Sequence, residues 1–251
     1  MKDQSMQNQV AVVTGAAGGI GSAICRRLAQ AGARIVLGYR SKQEEAQQLA
    51  NTLFGEDHLA LQVVVDDSQS CQSLADQVAQ KYGILDLLVN CAGVTTPVDH
   101  ADLDGLTDEW IDRIFQVNWR GAYAMMRACK TLLEQDGGGT VVNISSIAGL
   151  TGVGSNVAYC ASKAALDSLT RSLGRALAPK IRVVSVSPGL VLGEYAKHFD
   201  PAWIQAHIDG TPLDRLSVPE DVAETVWAVH TKLTMTTGNI IPVDGGRTLG
   251  I

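Results

Sequence analysis

Short apolar runs alternate along the 251-residue chain with longer stretches whose apolar residues recur every three to four positions. The runs are Gln9–Thr14, Ala33–Gly38, Leu59–Val65, Leu85–Asn90, Thr140–Ile144, Ile181–Val186 and Gly238–Val243. Continuous apolar runs of this length mark strands buried on both faces, as a parallel sheet requires. The helical period is carried by Ile20–Ala31, Lys42–Leu53, Gln69–Tyr82, Glu109–Gln116, Arg120–Leu133, a stretch from near Tyr159 to about Ala178, and Pro219–His230. Strand and helix in regular alternation predict an α/β fold: one doubly wound parallel sheet with helices on both faces. Met1–Asn8 is polar and is expected to be a flexible tail. Leu190–Thr211 mixes Pro, Gly, His and Trp with weaker periodicity, and is expected to form a lid over a substrate. No repeat or linker is visible, so residues 9–251 are read as a single domain.

Composition narrows the class. The chain is 46% hydrophobic and 18% charged, enough for a large core and unlike a disordered chain. The net charge of −6 argues against a nucleic-acid partner. No apolar run reaches the ~18 residues of a membrane span, and Met1–Gln9 has no leader pattern, so a cytoplasmic protein with no membrane partner is expected. The five cysteines include no C-x-x-C pair and are read as reduced, packed thiols; the five histidines show no H-x-x-x-H spacing, and no metal is expected.

The densest candidate chemistry lies in Asn143–Lys163, N-I-S-S-I-A-G-L-T-G-V-G-S-N-V-A-Y-C-A-S-K. A strand ends in two serines, a Gly-rich loop follows, and a helical pattern then carries Tyr159 and Lys163 four residues apart. Residues so spaced share a helix face, so the phenol and the ammonium can meet. A free tyrosine ionises near pH 10, and bringing it to neutrality takes about 4 kcal/mol. One cation ~4 Å away supplies about that much at an effective dielectric of about 20. The pair is therefore a candidate proton donor and acceptor. Ser145 or Ser146 can donate a hydrogen bond to a substrate oxygen. Such a Tyr/Lys pair also arises by chance on many helices, and its surroundings must decide.

Those surroundings point to a dinucleotide. After the first strand comes T-G-A-A-G-G-I-G, in which Gly15, Gly19 and Gly21 bracket a turn into the helix opening at Ile20. Glycines let the backbone approach a pyrophosphate, and a helix N-terminus offers free N–H groups and a positive dipole end. An ordinary tight turn would look the same; the position, between first strand and first helix, favours the dinucleotide. The second strand is followed by Tyr39, Arg40, Ser41 and Lys42. An acidic residue that would hold the ribose hydroxyls of NAD is missing there, whereas Arg40 and Lys42 can neutralise a 2′-phosphate and Ser41 can hydrogen-bond it. The competing reading is a solvated first turn of the next helix. NADP(H) is favoured as the cofactor.

With these motifs in order, the chain resembles the short-chain dehydrogenase/reductases of the compact single-domain kind, from Val10 to Gly246. The resemblance is carried by the glycine turn, by N-C-A-G (Asn90–Gly93), by Val117-Asn118, by the serine thirteen residues before Y-x-x-x-K, and by Ser187-Pro188-Gly189. T-P-L-D-R-L-S-V-P-E-D-V-A further resembles the 3-oxoacyl-carrier-protein reductase branch. The resemblance implies a Rossmann-like fold and a catalytic tetrad of Ser146, Tyr159, Lys163 and Asn118. Ser146 is preferred to Ser145 by its spacing, and Asn118 would support a water chain from Lys163 to solvent. Cofactor contacts are implied for Gly15, Gly19, Ile20, Gly21, Tyr39, Arg40 and Ser41. They are implied also for Asn90, Ala92, Gly93, Tyr159, Lys163, Pro188, Gly189 and Val191. Three positions depart from the family. Val64 stands where relatives have Asp or Asn against the adenine, with Asp66 close by. Gly193 stands where many have Thr against the nicotinamide amide, and Ser185 replaces the usual Asn.

The expected activity is NADP(H)-dependent reduction of a small-molecule ketone, or oxidation of the matching alcohol. A 3-oxoacyl-carrier-protein reductase and a non-catalytic nucleotide-binding sensor are the alternatives; an epimerase or dehydratase would need a larger C-terminal part. The apolar breadth of Arg120–Leu133 and Val157–Ala178 predicts a homo-oligomer, a tetramer by resemblance. For a carrier protein, Leu133–Gly139 offers two acids and no base where the resembling reductases are basic, which leaves Lys180 and Arg182 as a weakened patch.

Overall fold

The computed structural model describes residues 4–193 and 199–249. Seven strands form one sheet: β1 (Val10–Thr14), β2 (Arg34–Tyr39), β3 (Leu59–Gln62), β4 (Leu87–Asn90), β5 (Gly139–Ile144), β6 (Ile181–Pro188) and β7 (Ile240–Val243). Their order is β3-β2-β1-β4-β5-β6-β7, and every pairing is parallel. Strand order therefore reverses between β1 and β4. In open parallel sheets the crevice for a ligand lies beyond the carboxyl ends of the strands at such a reversal.

Alternation along each strand divides the core in two. Ala11 and Val13 of β1 face α1 (Gly19–Gln30) and α9 (Pro219–Thr231), where Ile24, Leu28, Val222 and Val226 are fully buried. Val10 and Val12 face the other layer, α3 (Ser68–Tyr82), α5 (Ala122–Leu133) and α7 (Val157–Ala176), with Leu74, Met125 and Leu166. α2 (Gln43–Thr52) covers β2 and β3 with its one apolar stripe, Ala46, Leu49 and Ala50. The remaining helices, α4 (Asp108–Phe115), α6 (Ala148–Thr151) and α8 (Pro201–Asp209), lie towards the carboxyl ends of the strands.

Several expected boundaries move, each for a local reason. β3 stops at Gln62 although Val63–Val65 continue the apolar run. Val63 N still bonds Tyr39 O (2.7 Å), but Val64 N is taken by Ser70 Oγ (2.9 Å). β6 runs through Pro188 instead of breaking before it. Ser185 N and Gly189 N bond the β7 side, so the proline nitrogen faces β5 beyond that strand's end, where no ladder partner is lost. The two helical stretches around Asn118 join into one continuous rod: a π-helical turn, Gln116–Gly121, links α4 to α5. The expected loose tail is docked from Gln4 onward. Met6 is fully buried, its amide bonds Ala31 O (2.9 Å), and Ser5 Oγ accepts from Trp227 Nε1 (2.9 Å).

The amino edge of the sheet is closed by Arg182. Its guanidinium donates to Leu233 O, Thr236 O, Val229 O, His230 O and Thr140 Oγ1, at 2.9–3.1 Å, and so caps the end of α9. His230 bridges Thr140 Oγ1 and Gln9 Oε1 (3.0 Å each), and burial beside Arg182 pushes its imidazole down to about 4. This corrects the expectation of a residual basic patch by the site. Leu133–Gly139, Lys180 and Arg182 precede β5 and β6 and lie at the sheet's amino edge, opposite the serines that follow β5.

Candidate active site

The carboxyl ends of all seven parallel strands lie at one edge of the sheet. Thr14, the last residue of β1, holds the turn after β4: its Oγ1 accepts from Cys91 N and Ala92 N (3.1 Å each) and donates to Val89 O (3.4 Å). Gly15, at φ +66°, follows it, and a Cβ there would lie 3.0 Å from Ala92 Cα. At Gly21 a Cβ would fall 2.3 Å from Gly15 O. Only glycines let β1 turn this tightly into α1 while leaving the backbone bare at the crevice. α1 starts from Gly18 with no side-chain cap and no acid in its first turn, so its leading amides are open to an anion. An open cavity of about 600 Å³ lies beside Gly19 and Ser22, lined also by Leu192, Gly193 and Ile204.

At the end of β2, Arg40, Ser41 and Lys42 are exposed and Tyr39 is half-buried; Arg40 O is held by Gln62 Nε2 (3.0 Å), which leaves the guanidinium at the surface. Asp66 does not replace the missing acid at Val64, because Arg113 pairs with its carboxylate and Arg120 bonds its carbonyl. Asn90 is buried at the end of β4; its Nδ2 bonds Asn143 Oδ1 (2.9 Å) and its Oδ1 has no partner. Asn143 continues to Thr170 Oγ1 (2.9 Å), which meets Ser185 Oγ (2.8 Å), so the serine standing for the family's Asn completes a buried polar row under the site.

Ser146 sits between two anchors on β6: Ser145 N bonds Val186 O (2.8 Å) and Ile147 N bonds Pro188 O (3.0 Å). Ser146 is half-buried, and its Oγ accepts from Ala148 N (3.2 Å). Ser145 is buried and faces inward, its Oγ donating to Lys163 O (3.3 Å). That separates the two serines in favour of Ser146 as the one at the crevice.

Tyr159 and Lys163 share one face of α7. The helix starts at Asn156, whose Oδ1 accepts from Tyr159 N (2.7 Å) and whose Nδ2 reaches Thr96 O (2.7 Å). This cap ties the tyrosine's turn to the loop after β4. It is a site-building residue the sequence reading missed, though an Asn just before a helical run is a start signal. Lys163 is buried, its Nζ 5.6 Å from the centre of the Tyr159 ring and 2.8 Å from Ile144 O. Burial lowers its ammonium from the ordinary value to about 8. Asn118 stands in the π-helical turn, but its side chain is fully occupied: Oδ1 accepts from Val94 N (2.8 Å), and Nδ2 donates to Val94 O (3.0 Å) and Ser162 Oγ (3.1 Å). Gly93 lies over both groups; a Cβ there would be 3.4 Å from Asn118 Oδ1 and 3.8 Å from Lys163 Nζ.

Pro188 and Gly189 close the wall, with Gly189 N on Val243 O (3.0 Å), and Val191 bridges to Ser217. The first residues of the expected lid are thus fastened down. Residues 194–198 of it lie outside the described residues, and α8 in its second half buries no side chain. A Cβ at Gly193 would lie 3.7 Å from Pro219 Cγ, an ordinary contact, among the described residues. Among the described residues no His, Cys, Asp and Glu side chains cluster to hold a metal ion, and no helix is long and apolar enough to cross a membrane.

The chain matches the family model described as enoyl-(acyl carrier protein) reductase over residues 15–248. It is 37% identical over 251 residues to a Streptomyces violaceoruber protein provisionally named ketoacyl reductase 2 of the granaticin polyketide synthase, covering 99% of this chain and 100% of that one. It is 33% identical over 254 residues to an NAD-dependent glycerol dehydrogenase of Listeria innocua, covering 99% and 97%. Among solved structures, a short-chain dehydrogenase/reductase named glucose/ribitol dehydrogenase from Brucella melitensis superposes with a TM-score of 0.90 at 28% identity, over 98% of this chain and 99% of that one.

Proposed function

We propose a specific activity for this chain, which belongs to the short-chain dehydrogenase/reductase family of oxidoreductases acting on CH–OH and C=O groups with a nicotinamide cofactor. It is an NADP(H)-dependent carbonyl reductase, running also as an alcohol dehydrogenase on a secondary alcohol. The observation that carries this reading is the buried Lys163 beneath Tyr159, next to Ser146 at the edge where strand order reverses.

The residues present fit the cofactor. Gly15, Gly19, Ile20 and Gly21 form the cradle for the pyrophosphate, and the open amides of α1 favour its charge. Exposed Arg40 and Ser41 beside Tyr39 suit a 2′-phosphate. Asn90, Ala92 and Gly93 line one side of the crevice and Pro188, Gly189 and Val191 the other. When bound, the cofactor supplies or accepts the hydride. The chain's own residues do the rest. Ser146 Oγ holds the carbonyl oxygen. Tyr159 gives that oxygen its proton in reduction and removes it in oxidation. Lys163 keeps a positive charge under the phenol and helps hold the ribose, while the π-helical turn at Asn118 offers the route by which the proton is replaced.

Residues 9–251 act as one dinucleotide-binding and catalytic domain with a lid over about 190–211. We read the protein as cytoplasmic, with a small-molecule substrate and no nucleic-acid or membrane partner. The outward face of α7, Val157, Ala161, Ala164 and Ser168, is small enough for a second copy to pack closely, in line with a homotetramer. A carrier-protein substrate is disfavoured, because Lys180 and Arg182 lie at the far edge of the sheet.

The test is a panel of ketones, quinones, sugars and acyl thioesters, free and on carrier protein, each scored with NADPH and with NADH. Turnover of free ketones with NADPH preferred is expected. Tyr39→Asp with Arg40→Ala should then move the preference towards NADH by about tenfold, or ~1.4 kcal/mol. Cofactor binding without turnover on any carbonyl would make the chain a sensor, and a wild-type preference for NADH would overturn the reading of the β2 end.

A further inference from the structure

A buried ammonium needs a counter-charge or it loses its proton. Lys163 is buried, and Ile144 O is its one hydrogen-bond acceptor among the described residues. The titratable groups that face it can be named element by element. From its own helix come Tyr159, one turn before, and Asp167, one turn after; from the end of β4 comes Cys91. The Cys91 thiol is pushed up to about 12 by burial and is neutral at working pH. Asp167 is the remaining acid. It is buried, and it stands at the i+4 position of the face that carries Tyr159 and Lys163.

The surroundings of Asp167 are those of a placed carboxylate. Ser145, just past β5, and Ser185 of β6 bond elsewhere, to Lys163 O (3.3 Å) and Thr170 Oγ1 (2.8 Å), and no ion pair or hydrogen bond within the described residues takes up the carboxylate. Its Oδ1 is buried with no partner. Arg171, the next charge along α7, is exposed. Burial raises the carboxyl above its ordinary value, and Arg171 and Lys163 act against that rise. An aliphatic side chain would fill this space without leaving a buried polar atom orphaned, so the site is built for charge and not for packing.

We propose that Asp167 is the counter-charge of Lys163: a positioning residue, one helical turn away on the same buried face of α7, that keeps the ammonium beneath Tyr159 charged. This rests on the roles given above to Tyr159 and Lys163. Removing the charge lets Lys163 deprotonate at lower pH. The loss then falls on alcohol oxidation in alkaline solution, where a charged Lys163 must hold the phenolate.

Three measurements test it, the first two independent of turnover. In protein carrying 13C-labelled lysine, the Lys163 ε-carbon, assigned by its loss in Lys163→Met, is titrated in wild type, Asp167→Asn and Asp167→Glu. The midpoint should fall by about one pH unit in Asp167→Asn, a tenfold change in the equilibrium, and recover in Asp167→Glu; an unchanged midpoint overturns the proposal. The carboxyl carbon of Asp167 in wild type, labelled in the same way, should report an ionised group at pH 7.5. A protonated carboxyl there also overturns it, even if the asparagine variant does not fold. Activity then separates positioning from structure. Oxidation at pH 8.5 should fall about tenfold in Asp167→Asn, with reduction at pH 6 within about threefold of wild type. An equal loss at both pH values would mean a structural role only. If wild type turns over nothing on the panel, the proposed activity fails while the titrations still decide the role of Asp167.

Discussion

The two edges of the sheet each hold a cation, half-buried at one and buried at the other, and they treat it in opposite ways. At the amino edge Arg182 meets five acceptors in fixed positions, four of them carbonyls at and beyond the end of α9. At the carboxyl edge Lys163 meets one carbonyl and is otherwise left with open donors below a half-buried tyrosine. A saturated cation can only hold elements together. An unsaturated one, lowered to about 8 by burial, is poised to respond to whatever enters. Both edges are polar, and a cavity of about 380 Å³ lies at the amino edge beside Arg182, so polarity and concavity alone do not mark the chemistry. The number of unmet hydrogen bonds does.

The largest effect should come from the open edge. Tyr159→Phe removes only a hydroxyl, and turnover should fall by about 10²–10⁴-fold with NADPH affinity, read by tryptophan fluorescence, within about threefold. A variant that keeps most of the wild-type rate constant would take the proton transfer away from Tyr159. At the saturated edge Arg182→Met strands five acceptors. Urea unfolding should show a loss of about 3 kcal/mol, while the rate constant of the protein that remains folded stays near wild type. Lost turnover at full stability would show that the edges are coupled and break the comparison.

The smallest effect is in pH. His230 is about 4 when folded, against about 6.5 in an unfolded chain, so below pH 6.5 the unfolded state binds the extra proton. The stability owed to neutral His230 is complete above pH 6.5 and is lost as pH falls towards 4, about 2 kcal/mol of it between pH 7 and 5. His230→Gln should flatten that part of the curve, measured by chemical unfolding at each pH; a variant with the wild-type slope would assign the titration to other groups.

Much of the fold is legible in the sequence because a doubly covered parallel strand has a plain signature, an apolar run without alternation. The failures are equally physical. β3 ends early because Ser70, six residues on, competes for one amide. The α4–α5 rod reads as two helices because a π turn shifts the apolar period without breaking the chain. Met6 looks like one apolar residue in a polar tail, and only the folded chain makes it part of the core that α1 and α9 share. At the site, the tetrad residues and the glycine turn are legible as motifs. Asp66 is not, because its partner Arg113 lies 47 residues away. The edge on which Lys180 and Arg182 fall is set by topology, and nearness in sequence to a strand says nothing about which end of it faces the chemistry.

The packing of α1 against α9 has a consequence for synthesis. The apolar face of α1, with Ile24 and Leu28, is covered by a helix that begins at Pro219. Between Gln30 and Pro219 the ribosome must add roughly 190 residues, which takes about 10–40 s at 5–20 residues per second. For that time the part of the α1 stripe that α9 covers stays bare, although β1 and β2 can already pack on the rest. A chain released before α9 keeps the stripe, the β1 turn and the Tyr159 helix, yet lacks the cover for its first helix. Premature termination therefore gives a sticky fragment that the quality-control machinery meets as a client, and not a smaller enzyme.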